Sequence, residues 1–284
     1  MTISAVLREA TTRLAAVSDS AAMDAELMLA HIVNCDRVYF IVHGDEPLEE
    51  SIRQRFLDAL LERERGRPIP YIIGTAGFYG RTFEVDGRVL VPRPETELLV
   101  EAAIAHLRRS DRLLGFAADI GTGSGVIAVS LACELPSLNV FATDISREAL
   151  AVARRNAARN NVFQHISFVH GDLGEPLRRF GRYDAIVANL PYVPTDEIAA
   201  APDPVSHEPR LALDGGGVGL DLYERLVPAL EELLAPGGAA FLEAAPLNVL
   251  DLALLVRERW PSATVEVKAD YSSLPRFVSV IAPG

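Results

Sequence analysis

The residues best suited to chemistry in this sequence directly follow the apolar run 183–188 and are Asn189, Leu190, Pro191 and Tyr192. A short buried strand that ends on a polar residue, a proline and an aromatic residue is typical of a pocket rim. Asn189 offers an amide oxygen and Leu190 a backbone carbonyl oxygen as hydrogen-bond acceptors. Pro191 stiffens the turn, and Tyr192 offers a flat face. This set can hold a planar NH2 group by both hydrogens, although an Asx-type turn after a strand would give the same pattern.

A glycine-rich loop follows an earlier apolar run that ends at Asp119 and Ile120. The loop consists of Gly121, Thr122, Gly123, Ser124 and Gly125. Glycines let a backbone approach a ligand closely, and the helix predicted from Val126 presents free N–H groups at its start. The dinucleotide fingerprint Gly-x-Gly-x-x-Gly would need glycine at position 126. The loop therefore indicates a nucleotide pocket and counts against an NAD-dependent oxidoreductase.

Polar side chains recur where four predicted strands end, at Asp119, Asp144, Asp172 and Asn189. In an open parallel sheet, ligands bind at the carboxyl ends of the strands, so these residues are expected at one edge. Asp144 is placed to accept hydrogen bonds from both ribose hydroxyls of an adenosine. Asp172 is placed to accept one from an adenine amino group, with Leu173 packing on the ring. Each acid alone is also consistent with an ordinary loop carboxylate, and the repetition is what predicts a site.

Strands and helices alternate through the rest of the chain, which is typical of an α/β fold with a parallel sheet. The strands are predicted at 116–119, 138–143, 166–169, 183–188, 239–243, 264–268 and 276–281. The helices are predicted at 94–109, 126–134, 146–160, 220–234 and 246–259. Because two strands follow each other at the end, we expect a mostly parallel sheet closed by an antiparallel C-terminal strand.

The first part of the chain has a helical period instead, with apolar positions recurring at 2–17, 22–34 and 49–65. Two alternating runs then flank Asp86-Gly87 and predict a β-hairpin. The predicted organisation is a helical N-terminal domain, a hairpin linker and a second domain, at 1–75, 76–93 and 94–284. We expect the small helical domain to hold a macromolecular substrate, although a purely stabilising role is equally consistent with the pattern.

Composition excludes several classes of function. The 284-residue chain has a net charge of -12, which counts against tight binding of duplex DNA or RNA. Cys35 and Cys133 lie far apart in apolar surroundings, and the six histidines show no ligand spacing, so neither a disulfide nor a metal site is predicted. No apolar segment approaches a membrane span, and the N-terminus is not typical of a signal peptide. We expect a cytoplasmic protein with no membrane partner.

The motifs that together carry a family resemblance are 119–125, Asp144, Gly171-Asp172 and 189–192, with flanking segments at 24–30, 67–74, 78–80, 91–97 and 208–216. They resemble the PrmC/HemK family in type and order, over nearly the whole chain. Those enzymes are S-adenosylmethionine-dependent and methylate the side-chain N5 of the glutamine in the Gly-Gly-Gln motif of class 1 peptide chain release factors. The resemblance implies a Rossmann-like class I methyltransferase sheet, with release factors as protein substrates and S-adenosylhomocysteine as a product.

The resemblance also implies residue roles. The cofactor-binding residues would be Asp119, Gly121, Thr122, Gly123, Ser124, Gly125, Asp144, Ile145, Asp172, Leu173 and Asn189. Substrate binding and catalysis would fall to Asn189, Leu190, Pro191 and Tyr192, with Arg93 and Glu95 near the incoming substrate. Asn189 Oδ1 and the Leu190 carbonyl would accept hydrogen bonds from the two N–H groups of the glutamine amide.

The chain departs from the family pattern in three places, and the last two of them leave the protein target open. Leu190 replaces the first proline of the usual Asn-Pro-Pro-Tyr, but it keeps the backbone carbonyl, so we expect amide binding to survive. Val218 stands where the family usually has aspartate, and Ala-Ala-Pro follows Glu243 in place of glycine and glutamine. A paralogue that methylates glutamine in another protein is therefore an alternative.

Two further alternatives belong to other classes. A DNA adenine-N6 methyltransferase would use the same pair of acceptors on an adenine amino group. Such an enzyme must also flip a base and hold DNA, which the negative charge and the small helical domain disfavour. A non-catalytic module that only binds the cofactor is disfavoured by the intact acceptor stretch at 189–192.

Overall fold

The computed structural model of the chain describes residues 1–199 and 203–284. By proximity the chain divides into two units, Met1–Thr75 with Ala199–His207 and Ala76–Ile198 with Glu208–Gly284. Of the described residues that follow the predicted boundary at 94, Ala199 and 203–207 group with the first unit. The predicted domain boundaries stay predictions. The roles given to the predicted domains stay predictions.

The first unit is helical. Its helices are α1 (Ile3–Leu14), α2 (Ala21–Val33), α3 (Tyr39–His43), α4 (Glu50–Glu64) and α5 (Ile69–Ile73). Leu14, Met28 and Phe56 are fully buried in its core, and the buried Arg63 Nε donates to Asp24 Oδ2 at 2.8 Å. The three longer helices lie where the helical period predicts them. The two five-residue helices escape prediction because they are too short to show a period.

A small hairpin, β1 (Thr75–Phe78) and β2 (Arg81–Glu84), starts at the last residue of the first unit and otherwise belongs to the second. Its turn is at Tyr79-Gly80, where φ is 48° and 70°, so both residues have the positive φ that a two-residue hairpin turn requires. The predicted turn at Asp86-Gly87 is therefore wrong, and 88–92 is not a strand. Asp86 instead accepts a hydrogen bond from the Arg88 N–H through its side chain, at 3.1 Å, and so forms a local Asx turn.

The large sheet has seven strands. They are β3 (Phe116–Ile120), β4 (Asn139–Asp144), β5 (Ile166–His170), β6 (Tyr183–Ala188), β7 (Leu234–Glu243), β8 (Thr264–Ala269) and β9 (Pro275–Ile281). Their order is β5-β4-β3-β6-β7-β9-β8, with β9 antiparallel to both β7 and β8 and the other pairs parallel. The predicted fold class is confirmed. Strand order reverses between β3 and β6, which is where α/β sheets of this kind bind ligands.

Helices cover both faces of this sheet. They are α6 (Glu97–Arg109), α7 (Val126–Glu134), α8 (Arg147–Arg159), α9 (Asp221–Leu233) and α10 (Val249–Arg259). Along β6, Ile186 and Ala188 pack in one apolar cluster with α9 and α10, while Ala185 and Val187 pack in the other with α6 and α7. Because both faces are buried, the strand reads as a continuous apolar run. Within the described part of the chain, every helix is too short or too polar to cross a bilayer.

Candidate active site

A cavity of about 560 Å³ lies at the carboxyl ends of β3, β4 and β6. The predicted site residues that line it are Arg93, Gly121, Thr122, Gly123, Ser124, Asp144, Ile145, Asp172, Leu173, Asn189, Leu190 and Pro191. Its volume is within the range of cofactor pockets. The same cavity thus connects the proposed adenosine acceptor Asp144 with the proposed amide acceptor Asn189.

The glycine loop passes close to the stretch 189–192. Gly121 has a φ of 75°, and a Cβ there would come within 2.8 Å of Leu190 Cδ2. Gly125 has a φ of 83° and starts α7, where a Cβ would come within 2.9 Å of Ala153 Cβ on α8. Both positions therefore need glycine for backbone conformation and for packing. Gly125 does not line the cavity, so its predicted cofactor contact stays a prediction.

Asp119 lies under the loop and not on the cavity wall. Its side chain is fully buried, and its Oδ2 accepts hydrogen bonds from Thr122 Oγ1 at 2.6 Å and from the Ala128 N–H at 3.0 Å. Burial raises the pKa of Asp119 to about 7, and the nearby Asp144 adds to that rise. Asp119 thus ties the loop to the first turn of α7. Its predicted direct contact with a cofactor stays a prediction.

Asp144 faces the cavity with its carboxyl group fixed by backbone. The Gly123 N–H donates to Oδ2 at 2.9 Å, and the Ser146 N–H donates to Oδ1 at 2.8 Å. Burial raises its pKa, and these bonds oppose the rise. Each oxygen keeps a lone pair that is not used by these bonds. The carboxyl group can therefore accept hydrogen bonds from a pair of neighbouring hydroxyls.

Asp172 and Leu173 line the cavity beside a residue that the sequence did not suggest. Arg225 on α9 forms an ion pair with Asp172 and also lines the cavity. Leu173 has a φ of 47°, an unusual value for leucine, and its carbonyl accepts a hydrogen bond from Thr143 Oγ1 at 3.0 Å. This bond fixes the Leu173 backbone beside the cavity.

Asn189 is oriented by Thr96. Its Nδ2 donates to Thr96 Oγ1 at 2.9 Å, while its Oδ1 has no hydrogen-bond donor among the described residues. Thr96 is buried and also lines the cavity. The side-chain amide of Asn189 therefore has its donor end occupied and its acceptor end available.

Leu190 is held through its backbone. Its N–H donates to the hydroxyl of Tyr223 at 3.2 Å, and Tyr223 is fully buried on α9. The same hydroxyl donates to the carbonyl of Glu243 and lies 3.3 Å from the carbonyl of Ala188. The Leu190 carbonyl accepts no hydrogen bond from the described residues. A second free acceptor thus stands next to Asn189.

Tyr192 makes a side-chain contact with the end of β7. Its hydroxyl donates to Glu243 Oε1 at 3.3 Å, and burial together with Glu243 raises its pKa far above the ordinary value. The Tyr192 ring does not line the cavity, so its predicted contact with a bound amide stays a prediction.

Arg93 and Glu95 have different environments. Arg93 lines the cavity and forms an ion pair with the buried Glu208 at 2.7 Å. Glu95 lies outside the cavity wall, and its carboxylate is 3.6 Å from Arg276 on β9. The substrate contacts predicted for both residues stay predictions.

Sequence reasoning missed Thr96, Tyr223, Arg225 and Glu243. Only Glu243 carried a usable signal. It is the last residue of β7, the strand next to β6, and the rule that selected the polar residues at the ends of the other strands applies to it as well. The others reach the site from helices, and one sequence gives no information about which helix faces the strand ends.

Comparisons with known proteins agree with this geometry. The profile of the PrmC N-terminal domain matches residues 5–74, and that of the methyltransferase small domain matches residues 95–208. The chain is 38% identical over 276 residues to the release factor glutamine methyltransferase of Deinococcus radiodurans, with 96% of each chain covered. It is 41% identical over 244 residues to the protein of the same name from Moorella thermoacetica, with 86% of this chain and 85% of the relative covered.

A solved structure shares the fold alone. It is the T. thermophilus 16S rRNA N2 G1207 methyltransferase in complex with AdoMet and guanosine. The TM-score is 0.52 at 19% identity, covering 73% of this chain and 49% of that one.

Proposed function

Because this chain belongs to the release factor glutamine methyltransferase family, we propose that it transfers a methyl group from S-adenosylmethionine to N5 of the Gly-Gly-Gln glutamine in class 1 peptide chain release factors. The observation that supports this most directly is the pair of free acceptors, Asn189 Oδ1 and the Leu190 carbonyl, on the wall of the cavity that Asp144 also lines. We place the reaction in the cytoplasm, and we assign the binding of the release factor in part to the helical unit.

The residues present fit the proposed methyl donor. Asp144 offers two oxygens to the ribose hydroxyls, and the backbone of Gly121 and Gly123 leaves room for close approach. Leu173 and Ile145 offer apolar contacts on the cavity wall for an adenine ring. When bound, S-adenosylmethionine supplies a methyl group on a positively charged sulfur. Its product, S-adenosylhomocysteine, would occupy the same residues.

The acceptor nitrogen is activated by position and charge. An amide nitrogen is a poor nucleophile because its lone pair is delocalised into the carbonyl group. Asn189 Oδ1 and the Leu190 carbonyl accept hydrogen bonds from its two N–H groups and orient the nitrogen toward the methyl donor. As the N–C bond forms and the C–S bond breaks, positive charge develops on the nitrogen, and the two oxygens stabilise it. The methylated nitrogen, which is strongly acidic, releases one proton to water after transfer, so no residue is assigned as a general base.

Peptide mapping of a methylated substrate tests this function. The purified protein is incubated with isotopically labelled S-adenosylmethionine and a class 1 release factor. A matched release factor with alanine in place of the Gly-Gly-Gln glutamine serves as the control. We expect one methyl group on that glutamine and none on the control. Genomic DNA in a parallel reaction tests the adenine alternative. Label in DNA, or on a different residue of the release factor, would contradict the proposal.

A further inference from the structure

The Asn189 side chain can present either of two ends to a substrate. An asparagine amide has an acceptor oxygen at one end and a donor NH2 group at the other, with nearly the same shape. Only the oxygen can accept a hydrogen bond from the NH2 group of an acceptor amide. If the two ends were exchanged, two donors would face each other and the acceptor would be pushed away. Some neighbour must therefore decide which end points outward.

The neighbour with a direct contact is Thr96, whose Oγ1 lies 2.9 Å from Asn189 Nδ2. Thr96 is the N-cap residue of α6, a position where a threonine hydroxyl usually accepts a hydrogen bond from the helix backbone. Here its side chain makes no capping bond. Thr96 as a whole is 2% exposed, and it lines the cavity. Its contacts therefore serve the neighbouring strand end and not helix capping.

A hydroxyl has one hydrogen, so its second partner determines how Thr96 meets Asn189. The candidate is Glu243 at the end of β7, whose carboxyl group has Thr96 and Tyr192 as its hydroxyl neighbours. Tyr192 donates to Glu243 Oε1 at 3.3 Å, and the buried Oε2 has no hydrogen-bond partner among the described residues, so it is open to the Thr96 hydrogen. The charged groups facing Glu243 are Glu95 and Arg276. With its hydrogen directed to the Glu243 carboxyl group, Thr96 has only lone pairs left for Asn189.

We propose that Thr96 is a positioning residue that fixes the orientation of the Asn189 amide, so that Oδ1 and not Nδ2 meets the acceptor nitrogen. Glu243 enforces this role by taking the Thr96 hydrogen, and Tyr192 holds Glu243 in place. The inference rests on the proposed function, because the orientation matters only for an acceptor that donates N–H bonds. In this proposal the buried carboxyl group of Glu243 acts through Thr96 and does not contact the reacting atoms.

Two substitutions at one position test the proposal. Thr96→Val keeps the shape of the side chain but removes the hydroxyl, so both orientations of Asn189 become available. We expect kcat with the release factor to fall at least about 10-fold, on the scale of a lost orienting group. Donor affinity, measured by calorimetry with S-adenosylhomocysteine, should change less than about twofold, because the Asp144 carboxyl group is held by the Gly123 and Ser146 N–H groups and not by Thr96. Thr96→Ser restores the hydroxyl and should recover kcat to within about threefold of wild type.

Ser130→Ala is the matched control. Ser130 is fully buried in the same unit, its hydroxyl has no partner among the described residues, and it does not line the cavity. We expect its kcat to equal that of wild type. A Thr96→Val variant with wild-type kcat would overturn the proposal, and so would a Thr96→Ser variant as slow as Thr96→Val.

A second measurement does not depend on turnover. In a ¹⁵N–¹H spectrum, the side-chain NH2 signal of Asn189 is identified by its loss in Asn189→Ala. We expect one of its two protons to be protected from exchange in wild type and in Thr96→Ser, and to lose this protection in Thr96→Val. Equal exchange in all three proteins would overturn the proposal even if a variant were inactive. If wild type made no methylated glutamine at all, the proposed function would fail, whereas the spectrum would still report the orientation.

Discussion

Two buried carboxyl groups stand beside the cavity, and both have a pKa raised to about 7 by burial, at Asp119 and at Glu243. An ordinary aspartate has a pKa of 3.8. When the pH lies between the ordinary aspartate pKa and the raised pKa of Asp119, the folded protein keeps a proton on Asp119 that the unfolded chain has released. The folded state then binds more protons than the unfolded state, so stability falls as the pH rises through this window. Below the window and above it, the contribution does not change with pH.

The first prediction concerns this pH dependence. Wild type should lose up to about 4 kcal/mol of unfolding free energy through Asp119 between about pH 4 and about pH 7. In Asp119→Asn, the dependence of the unfolding free energy on pH should lose the part due to Asp119 and keep the part due to Glu243. Urea unfolding midpoints at about pH 5 and about pH 8 measure the difference between the two proteins. Equal slopes in both would show that Asp119 titrates as an ordinary carboxyl group.

The second prediction concerns the acceptor oxygen itself. Asn189→Ala should lower turnover of a release factor about 100-fold or more, on the scale of removing one oriented hydrogen-bonding group. Affinity for S-adenosylhomocysteine should weaken only modestly, because Asp144 is unchanged. Asn139→Ala, at an exposed position where β4 begins, is the control. Turnover within a few-fold of wild type would remove Asn189 from the proposed mechanism.

At the level of single residues, the sequence was informative where side chains follow strands. Asp144 and Asn189 were predicted because each is the first strong polar group after a buried run, and both line the cavity. Thr96 was not predicted as a site residue, because it belongs to a motif at the start of a helix, where a capping role is the natural interpretation. Its contact with Asn189 joins residues that are 93 positions apart, and spacing in one sequence does not report such contacts.

At the level of elements, the Tyr223 hydroxyl joins the ends of two neighbouring strands. It accepts from the Leu190 N–H beyond β6 and donates to the Glu243 carbonyl at the end of β7. Leu190 is 3% exposed, so its N–H has no access to water as an alternative partner. The family's usual proline has no N–H at this position. The hydroxyl therefore satisfies a group that exists here because residue 190 is leucine.

The third prediction follows from this contact. Tyr223→Phe should cost about 1–3 kcal/mol of unfolding free energy, the usual penalty for an unsatisfied buried donor, and should also lower kcat. In a Leu190→Pro background the same change should cost less, because the N–H is absent. Tyr183→Phe is the control, since it removes a buried hydroxyl that donates to the Leu177 carbonyl at 3.2 Å, away from the cavity. That variant should lose stability and keep kcat. Equal penalties in both backgrounds would contradict the role given to Tyr223.

The large sheet was predictable and the small hairpin was not, for a physical reason. Buried parallel strands read as apolar runs whatever their neighbours, so β3 to β6 were predicted near their observed positions. The hairpin was misplaced because Asp86-Gly87 is a strong turn signal, whereas Tyr79-Gly80 has a bulky residue at a positive φ. Glu97 Oε1 accepts from the Tyr79 N–H at 2.7 Å, so a tertiary contact supports the turn that local preference disfavours.

At the level of the whole molecule, the single tryptophan is a fluorescent probe for the unfolding of the second unit. Trp260 is buried in the second unit, 4% exposed, next to α10. Fluorescence of this residue therefore follows the unfolding of the unit that contains the cavity and is silent about the helical unit.

The fourth prediction uses this reporter. S-adenosylhomocysteine at about 100 times its Kd should raise the unfolding free energy seen by Trp260 by about 2.7 kcal/mol. The effect arises because the ligand binds only the folded cavity. Asn189→Ala should keep most of the shift, whereas Asp144→Ala should lose it. An unchanged Trp260 transition with saturating ligand would place donor binding elsewhere.

The strand order carries a consequence for assembly. Among the described strands, β8 pairs with β9 alone, and β9 comes later in the chain and runs between β8 and β7. Until β9 docks, β8 has no strand to pair with, and β7 exposes a row of backbone N–H and C=O groups that invites aggregation. The strand that carries Glu243 therefore gains its second neighbour only from the last strand in the chain, and a chain in which β9 has not docked is the form most at risk of misassembly.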